Sequence, residues 1–123
     1  MRIIVDAFGG DNAPLCNVEG AAMAVKEFAA EIILVGDEQK ILDCAKTNSI
    51  SLENIEIVNA PKVMDIHEDP NTILKSNKDT SMAVALGLVK DGKGDAVVSA
   101  GSTGALLFGA TFIVKRIKGI KRP

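Results

Sequence analysis

The residues best suited to chemistry lie in a turn of small residues, SAGSTGA, at positions 99–105. Gly101 and Gly104 permit backbone angles and close approaches that a side chain would block. Ser102 and Thr103 bring hydroxyl groups to the start of a predicted helix. Exposed amide hydrogens and the positive end of that helix would face one spot, which suits an oxyanion such as phosphate. A tight strand-to-helix turn with a serine or threonine cap explains the same residues equally well.

A second glycine-bearing turn, DAFGGDNAP at 6–14, follows the first apolar run. Its two glycines are adjacent, unlike the G-x-G-x-x-G spacing of dinucleotide-binding turns, and Asp11 would bring a carboxylate to the place of the pyrophosphate. Asp6 and Asp11 could instead position a lysine or hydroxyl from elsewhere, bind a metal, or cap the following helix. A cap formed by Asp11 or Asn12 is the simplest of these explanations.

The other titratable residues are mostly assigned to the surface. His67, the only histidine, lies in an acidic polar segment; histidine can act as a general base, but we predict a surface residue here. Lys75 and Lys78 flank this segment and could reach an anion, although solvated lysines are the default. A basic cluster near the end of the chain could complement a helix C-terminus, or dock an acidic partner or a lipid surface. It consists of Lys115, Arg116, Lys118, Lys121 and Arg122.

Strands and helices alternate strictly in the sequence that positions these turns. Short apolar runs rich in β-branched residues predict buried strands at 3–7, 31–36, 55–60 and 95–100. Helices are predicted from about Pro14, over 37–48, from a cap at Thr80 or Ser81 to Gly92 or Gly94, and from Ser102 over the run 103–117. Such alternation predicts a mainly parallel sheet with helices on both faces. Ligands of such sheets bind beyond the carboxyl ends of the strands, where both turns lie.

The apolar positions of each helix predict which side chains face the core. In the first helix these are Leu15, Val18, Ala22, Val25 and Ala29. In the second, which Asp37 is predicted to cap, they are Ile41, Leu42 and Ala45, and in the third they are Met82, Leu86 and Val89. The last helix is apolar over most of its surface and is therefore predicted to be buried.

Composition restricts the class of protein. With 123 residues, 47% of them hydrophobic and 24% charged, the chain suits one folded domain. An aromatic content of 3% and a net charge of -2 argue against nucleic acid as a partner. Cys16 and Cys44 lack the spacing of a zinc motif and are predicted to be buried free thiols. An early acid at Asp6 argues against a signal peptide, and no apolar stretch is long enough to span a bilayer, so a cytosolic location is expected.

Four segments, taken together and in this order, resemble one protein family. They are VDAFGGDNAP (5–14), LVGDEQKI (34–41), KDTSMAVALGLVKDG (78–92) and DAVVSAGSTGALLFGATFIVKRIKGIKRP (95–123). The family is PlsX, the fatty acid and phospholipid synthesis proteins that act as acyl-carrier-protein phosphate acyltransferases. Two positions depart from it: Phe8 stands where the family often has Met, and Ser102 stands where SAGNTGA is the commoner form.

The resemblance implies a bacterial enzyme that transfers a long acyl group from acyl carrier protein to inorganic phosphate and so supplies acyl phosphate for phospholipid synthesis. It implies a three-layer α/β/α fold similar to phosphotransacetylases and to isocitrate and isopropylmalate dehydrogenases. It also implies a homodimer without a metal or another cofactor, located in the cytoplasm and able to associate peripherally with the membrane. Because family members are more than twice as long, residues 1–123 are expected to be the amino-terminal portion of the enzyme and inactive alone.

In that reaction phosphate attacks a thioester, so the enzyme need only position a small anion, exclude water and stabilise a tetrahedral oxyanion. The residues expected to bind phosphate are Gly101, Ser102, Thr103 and Gly104. The catalytic candidates are Asp6, Asp11, Ser102 and Thr103. The residues expected to line the same cleft are Gly9, Gly10, Asn12 and Lys78.

Two alternatives stay open on the sequence. One is an NAD-linked dehydrogenase of related fold, which the run Gly9-Gly10-Asp11 disfavours. The other is a non-catalytic fragment that binds acyl carrier protein or its own other half.

Overall fold

A four-stranded parallel sheet forms the centre of the computed structural model, which describes residues 1–122. Pro123, the last residue of the segment 95–123, lies outside them. The strands are β1 (Arg2–Asp6), β2 (Glu31–Gly36), β3 (Ile55–Asn59) and β4 (Ala96–Val98). Their order across the sheet is β3-β2-β1-β4, and all neighbouring pairs are parallel, as predicted. β1 pairs with β4 over three residues only: Ile3 with Ala96, Ile4 with Val97 and Val5 with Val98.

The helices connect these strands in the predicted order. They are α1 (Leu15–Phe28), α2 (Glu38–Thr47), α3 (Ser81–Lys90) and α4 (Thr103–Gly109). A short 3-10 turn (Pro70–Leu74) lies in the polar segment between β3 and α3, and a π-helical turn (Ala110–Val114) continues α4. The side chains of Asp37 and Thr80 accept hydrogen bonds at the starts of α2 and α3, which confirms the cap predicted at Asp37 and makes Thr80, of the two residues proposed for α3, the cap.

The two faces of the sheet are covered by different helices, which gives three layers. Along β2, Ile32 and Leu34 pack in one core with α1 and α2. Ile33 and Val35 point to the opposite face and pack in a second core with α3. Because both faces are buried, β2 is a continuous apolar run, which is typical of a central parallel strand.

The predicted inner face of α1 is partly wrong. Val18 and Ala21 are its buried residues, whereas Leu15 is 41% exposed. Leu15 is the first residue of the helix, ahead of the part that faces the sheet and α2. Ala29 is exposed as well, because it has left the helix: it is the C-cap residue, with a left-handed φ of 49°.

The predicted inner face of α2 is also partly wrong. Ile41 and Ala45 are buried, one helical turn apart on the same side, whereas Leu42 is 42% exposed. A residue one position along a helix is rotated by about 100° and leaves the buried face. Leucine at such a position is apolar without being part of the core.

The last helix is shorter and less buried than predicted. It contacts α3 and the 3-10 turn on one side. Leu107 on α4 is 52% exposed and Phe112 on the π-helical turn is 54% exposed. The prediction of burial fails because the helix follows β4, an edge strand, so only one of its faces has a neighbour. No helix among residues 1–122 has the length and apolarity that crossing a bilayer requires.

The prediction of two buried thiols is wrong as well. Cys16 is exposed near the start of α1, and Cys44 is half-buried on α2; both are free. Each helix buries only the narrow face that meets the sheet, and these cysteines lie beside that face.

Candidate functional site

The turns after β1 and β4 meet at the carboxyl ends of these two neighbouring strands. A Cβ added to Gly101 would lie 3.3 Å from the Cα of Gly9, and one added to Gly10 would lie 3.1 Å from the Cβ of Ala100. Gly10 also has a φ of 101°, which side chains rarely adopt. The sequence suggests that the small residues of these turns make room for a ligand. In the structure, much of that room is taken up by the close approach of one turn to the other.

A buried carboxylate joins the two turns to α3. Asp6, the last residue of β1, is 2% exposed. Its Oδ1 accepts hydrogen bonds from the Ser81 hydroxyl at 2.6 Å and the Phe8 amide at 3.2 Å. Its Oδ2 accepts one from the Ser99 hydroxyl at 2.8 Å. Both carboxylate oxygens are thus satisfied inside the protein, as buried charges require.

The turn after β4 contains both engaged and free amides. The Gly101 amide donates to the Ser99 Oγ at 3.1 Å, so it is occupied within the turn. Ser102 is the N-cap of α4 and accepts from the Ala105 amide at 3.3 Å, which confirms the predicted cap. The amides of Ser102, Thr103 and Gly104 have no acceptor among residues 1–122, as expected for the first residues of a helix.

A crevice of about 220 Å³ opens beside the meeting point of the turns. Backbone and small side chains form one part of the lining, from Gly9, Gly10, Ala100 and Gly101. Larger apolar side chains form another part, from Phe8, Val63, Met64, Ile66 and Met82, and Met82 lies against Gly101, where an added Cβ would be 3.0 Å from the Met82 Cε. Asp6 and Asp11 complete the lining, which contains no lysine, arginine or histidine.

The predicted site residues divide into three groups. Asp6, Gly9, Gly10, Asp11 and Gly101 line the crevice. Ser102, Thr103 and Gly104 follow directly in the chain, outside its lining. Asn12 and Lys78 are exposed and do not line it.

The predicted cap of α1 is wrong. Neither Asp11 nor Asn12 caps this helix; Pro14 precedes it without a capping side chain. Asn17 instead stabilises the turn from inside the helix, where its Nδ2 donates to the carbonyls of Asp6, Ala7 and Gly9 at 3.3, 3.0 and 2.9 Å. The amide of an asparagine in the first turn of the helix was the available signal, since it can donate to carbonyls that a carboxylate cannot serve.

Sequence reasoning also missed Ser99 and the inner role of Ser81, which it considered only as a cap. Ser81 is 1% exposed and its hydroxyl is used by Asp6. A hydroxyl at the end of a strand and another at the start of a helix were visible in the sequence. Their common partner was not, because it lies 75 and 93 positions away.

The remaining charged residues lie at the surface. His67 is exposed, which confirms its prediction, and so are Lys75, Lys78 and the basic cluster 115–122. Lys62 Nζ lies 3.2 Å from Asp79 Oδ1 and also donates to the Ser76 carbonyl at 2.6 Å. The hydrogen bond from Lys62 holds the pKa of the Asp79 carboxyl below its usual value.

Fold and site together define a three-layer α/β protein whose candidate site lies beyond the carboxyl ends of adjacent parallel strands, beside a turn with free amides. The chain belongs to the fatty acid synthesis protein family, whose sequence model matches residues 1–123.

Curated relatives named phosphate acyltransferase match across the chain. The one from Clostridioides difficile (strain 630) is 46% identical over 123 residues, which cover 100% of this chain and 36% of the relative. The one from Geobacter sulfurreducens is 48% identical over 124 residues, with the same coverage. The one from Clostridium botulinum (strain Okra / Type B1) is 48% identical over 123 residues, covering 99% of this chain and 37% of the relative. The chain therefore spans little more than a third of the length of these relatives.

Proposed function

We propose that this chain supplies the phosphate-binding part of a phosphate acyltransferase that moves an acyl group from acyl carrier protein to inorganic phosphate. Relatives that are named phosphate acyltransferase, 44% to 48% identical to the chain, support the reaction class. The observation that carries the assignment is the row of free amides at Ser102, Thr103 and Gly104, directly beyond a crevice at the strand ends.

The proposed mechanism requires hydrogen-bond donors for the oxyanion and a fixed position for the phosphate. A phosphate oxygen attacks the thioester carbon, the carbonyl oxygen becomes an oxyanion, and the carbon–sulfur bond breaks to release the carrier thiolate, which takes up a proton. The free amides, with the hydroxyls of Ser102 and Thr103, would hold phosphate or the oxyanion. The Gly101 amide already donates to Ser99, so Gly101 would only leave space for the ligand. Donors that are already fixed need no reorganisation during the reaction.

The two acidic candidates take different roles in this proposal. Asp6 holds Ser81 and Ser99 with both oxygens and is buried, so we assign it as a positioning residue. Asp11 is exposed at the crevice and stays the catalytic candidate of the pair. Its carboxylate also disfavours a dinucleotide pyrophosphate in the crevice, which is why the dehydrogenase alternative is not adopted.

Three further assignments rest on the family resemblance and are part of the proposal. They are a homodimer, a cytoplasmic location, and peripheral association with the membrane. The exposed basic cluster 115–122 supports the last, because such side chains favour an anionic surface. Liposome flotation with and without anionic lipid would measure it.

The proposed phosphate site can be tested by deleting one amide. Thr103 is the first residue of α4, where proline is well tolerated, and the preceding Ser102 has a ψ of 112°, which suits a residue before proline. Thr103→Pro removes a free N–H, and Thr103→Ala, the matched control, keeps it. Hydrogen bonds to charged groups contribute about 1.5–3 kcal/mol, so Thr103→Pro should raise the KM for phosphate roughly 10- to 100-fold relative to the control.

The measurement is acyl phosphate formation by the intact protein as the phosphate concentration is varied, with the thermal unfolding midpoint as a check on folding. An unchanged phosphate KM in a folded Thr103→Pro variant would remove this amide from the site.

A further inference from the structure

We propose that the 220 Å³ crevice binds the thioester group and the first carbons of the acyl chain, with Ile66 and Val63 determining the acyl preference. This inference rests on the proposed function, because it assumes an acyl thioester substrate. It assigns a part of that substrate to residues outside the phosphate-binding turn.

The crevice has two kinds of lining residue that suit an uncharged, partly apolar group. Gly9, Gly10 and Gly101 carry no side chains, so a narrow ligand can approach the backbone there. Met64 and Met82, which are 5% and 1% exposed, contribute apolar side chains to the same lining. Methionine adapts its shape to apolar ligands and so suits the floor of a binding site.

Charge restricts the occupant further. The only ionisable side chains of the lining are the carboxyls of Asp6 and Asp11, and the lining has no cationic side chain. An anion inside the crevice would meet repulsion without compensation. Phosphate is therefore better placed outside, at the amides of residues 102–104, and an uncharged thioester inside. Gly101 lies at the boundary, since it lines the crevice and precedes the free amides.

Two exposed apolar side chains stand at the same crevice. Ile66 is 62% exposed and Val63 is 44% exposed. Single exposed apolar residues are ordinary on a surface, but these two share one rim, next to the buried methionines. A volume of 220 Å³ holds the equivalent of roughly seven water molecules, so a longer chain must leave the crevice. We expect its continuation to cover Ile66.

The test is binding of two thioesters, octanoyl-pantetheine and acetyl-pantetheine, to the intact protein by isothermal titration calorimetry. Ile66→Ser should raise the Kd for octanoyl-pantetheine about five- to tenfold, because apolar surface in contact with the chain is lost, and should change the acetyl Kd less than twofold. Phe28→Ser is the matched control, since Phe28 is 76% exposed at the end of α1 and should change neither Kd.

Ile66→Trp tests the same position by adding bulk, and should also weaken octanoyl binding. Equal effects of Ile66→Ser on both thioesters, or a lower unfolding midpoint with an unchanged octanoyl Kd, would overturn the proposal by making Ile66 a packing residue.

The two proposals fail separately. A protein that forms acyl phosphate but binds octanoyl-pantetheine independently of Ile66 contradicts the crevice assignment alone. A protein with Ile66-dependent binding and no acyl phosphate formation contradicts the proposed reaction alone.

Discussion

Asp6 and Ser99 are joined by a hydrogen bond of 2.8 Å across 93 positions of sequence. The same Ser99 oxygen accepts the Gly101 amide, so the carboxylate at the end of β1 fixes the turn after β4 through one hydroxyl. Ser81 extends this link to the first residue of α3. One buried carboxylate at the edge of the candidate site therefore holds both the turn after β4 and the start of α3.

Removing that charge should destabilise the fold. Asp6→Ala would leave the hydroxyls of Ser81 and Ser99 and the Phe8 amide without their acceptor. Each unsatisfied buried group costs about 1–3 kcal/mol, so we expect a loss of roughly 3 kcal/mol or more in the free energy of unfolding. Urea denaturation measures it. Asp11→Ala, in the same turn but exposed, should stay within about 0.5 kcal/mol of wild type, and equal losses for both variants would contradict a special role for Asp6.

Closing the space between the turns should be costly too. A Cβ on Gly9 would lie 2.7 Å from Ser99 Oγ, 2.8 Å from Asp6 Oδ2 and 2.8 Å from the Gly101 nitrogen. Gly9→Ala must push the turns apart, and overpacking of this kind costs about 1–3 kcal/mol. Gly20→Ala is the matched control: Gly20 lies within α1, has nothing within 4 Å of an added Cβ, and should become more stable by about 0.5–1 kcal/mol. Thermal unfolding of both variants measures these changes in stability. A Gly9→Ala variant as stable as wild type would refute the close approach of the turns.

The pH dependence of the Lys62–Asp79 pair has a definite sign. Lys62 lowers the pKa of Asp79 in the folded protein, so the pair stabilises the fold at pH values above the usual carboxyl pKa. That contribution is lost as the pH falls through the lowered folded value. Lys62→Met should return the Asp79 pKa toward its ordinary value in an NMR titration. Because the carboxyl is exposed, salt should weaken the shift in wild type, and a shift that survives in Lys62→Met would have another cause.

Local interactions were predictable from the sequence. Asp37, Thr80 and Ser102 cap their helices by bonding amides only three positions away, so the signal for each lies within one turn of chain. The parallel sheet was predictable for a similar reason, since runs of β-branched residues alternate with helical spacing.

The burial of individual side chains and their long-range partners were less predictable from the sequence. Leu15 and Leu42 are apolar like their buried neighbours, and only the packed structure shows which face of each helix meets the sheet. The bonds of Asp6 to Ser81 and Ser99 depend on the order of strands, which no local pattern contains. Asn17 was missed because its amide serves carbonyls of the preceding turn and not the helix start.

The short ladder of three residue pairs that joins β1 to β4 has a consequence for folding. A ladder this short discriminates weakly between neighbouring alignments, and a slip by one residue would displace Ser99 by about 3.3 Å. Any such slip would carry the Ser99 hydroxyl away from Asp6 and leave Oδ2 of this buried carboxylate without its donor, a penalty of about 1–3 kcal/mol that adds to the loss of ladder bonds. The carboxylate therefore favours the one alignment of β1 and β4 in which the Ser99 hydroxyl reaches it.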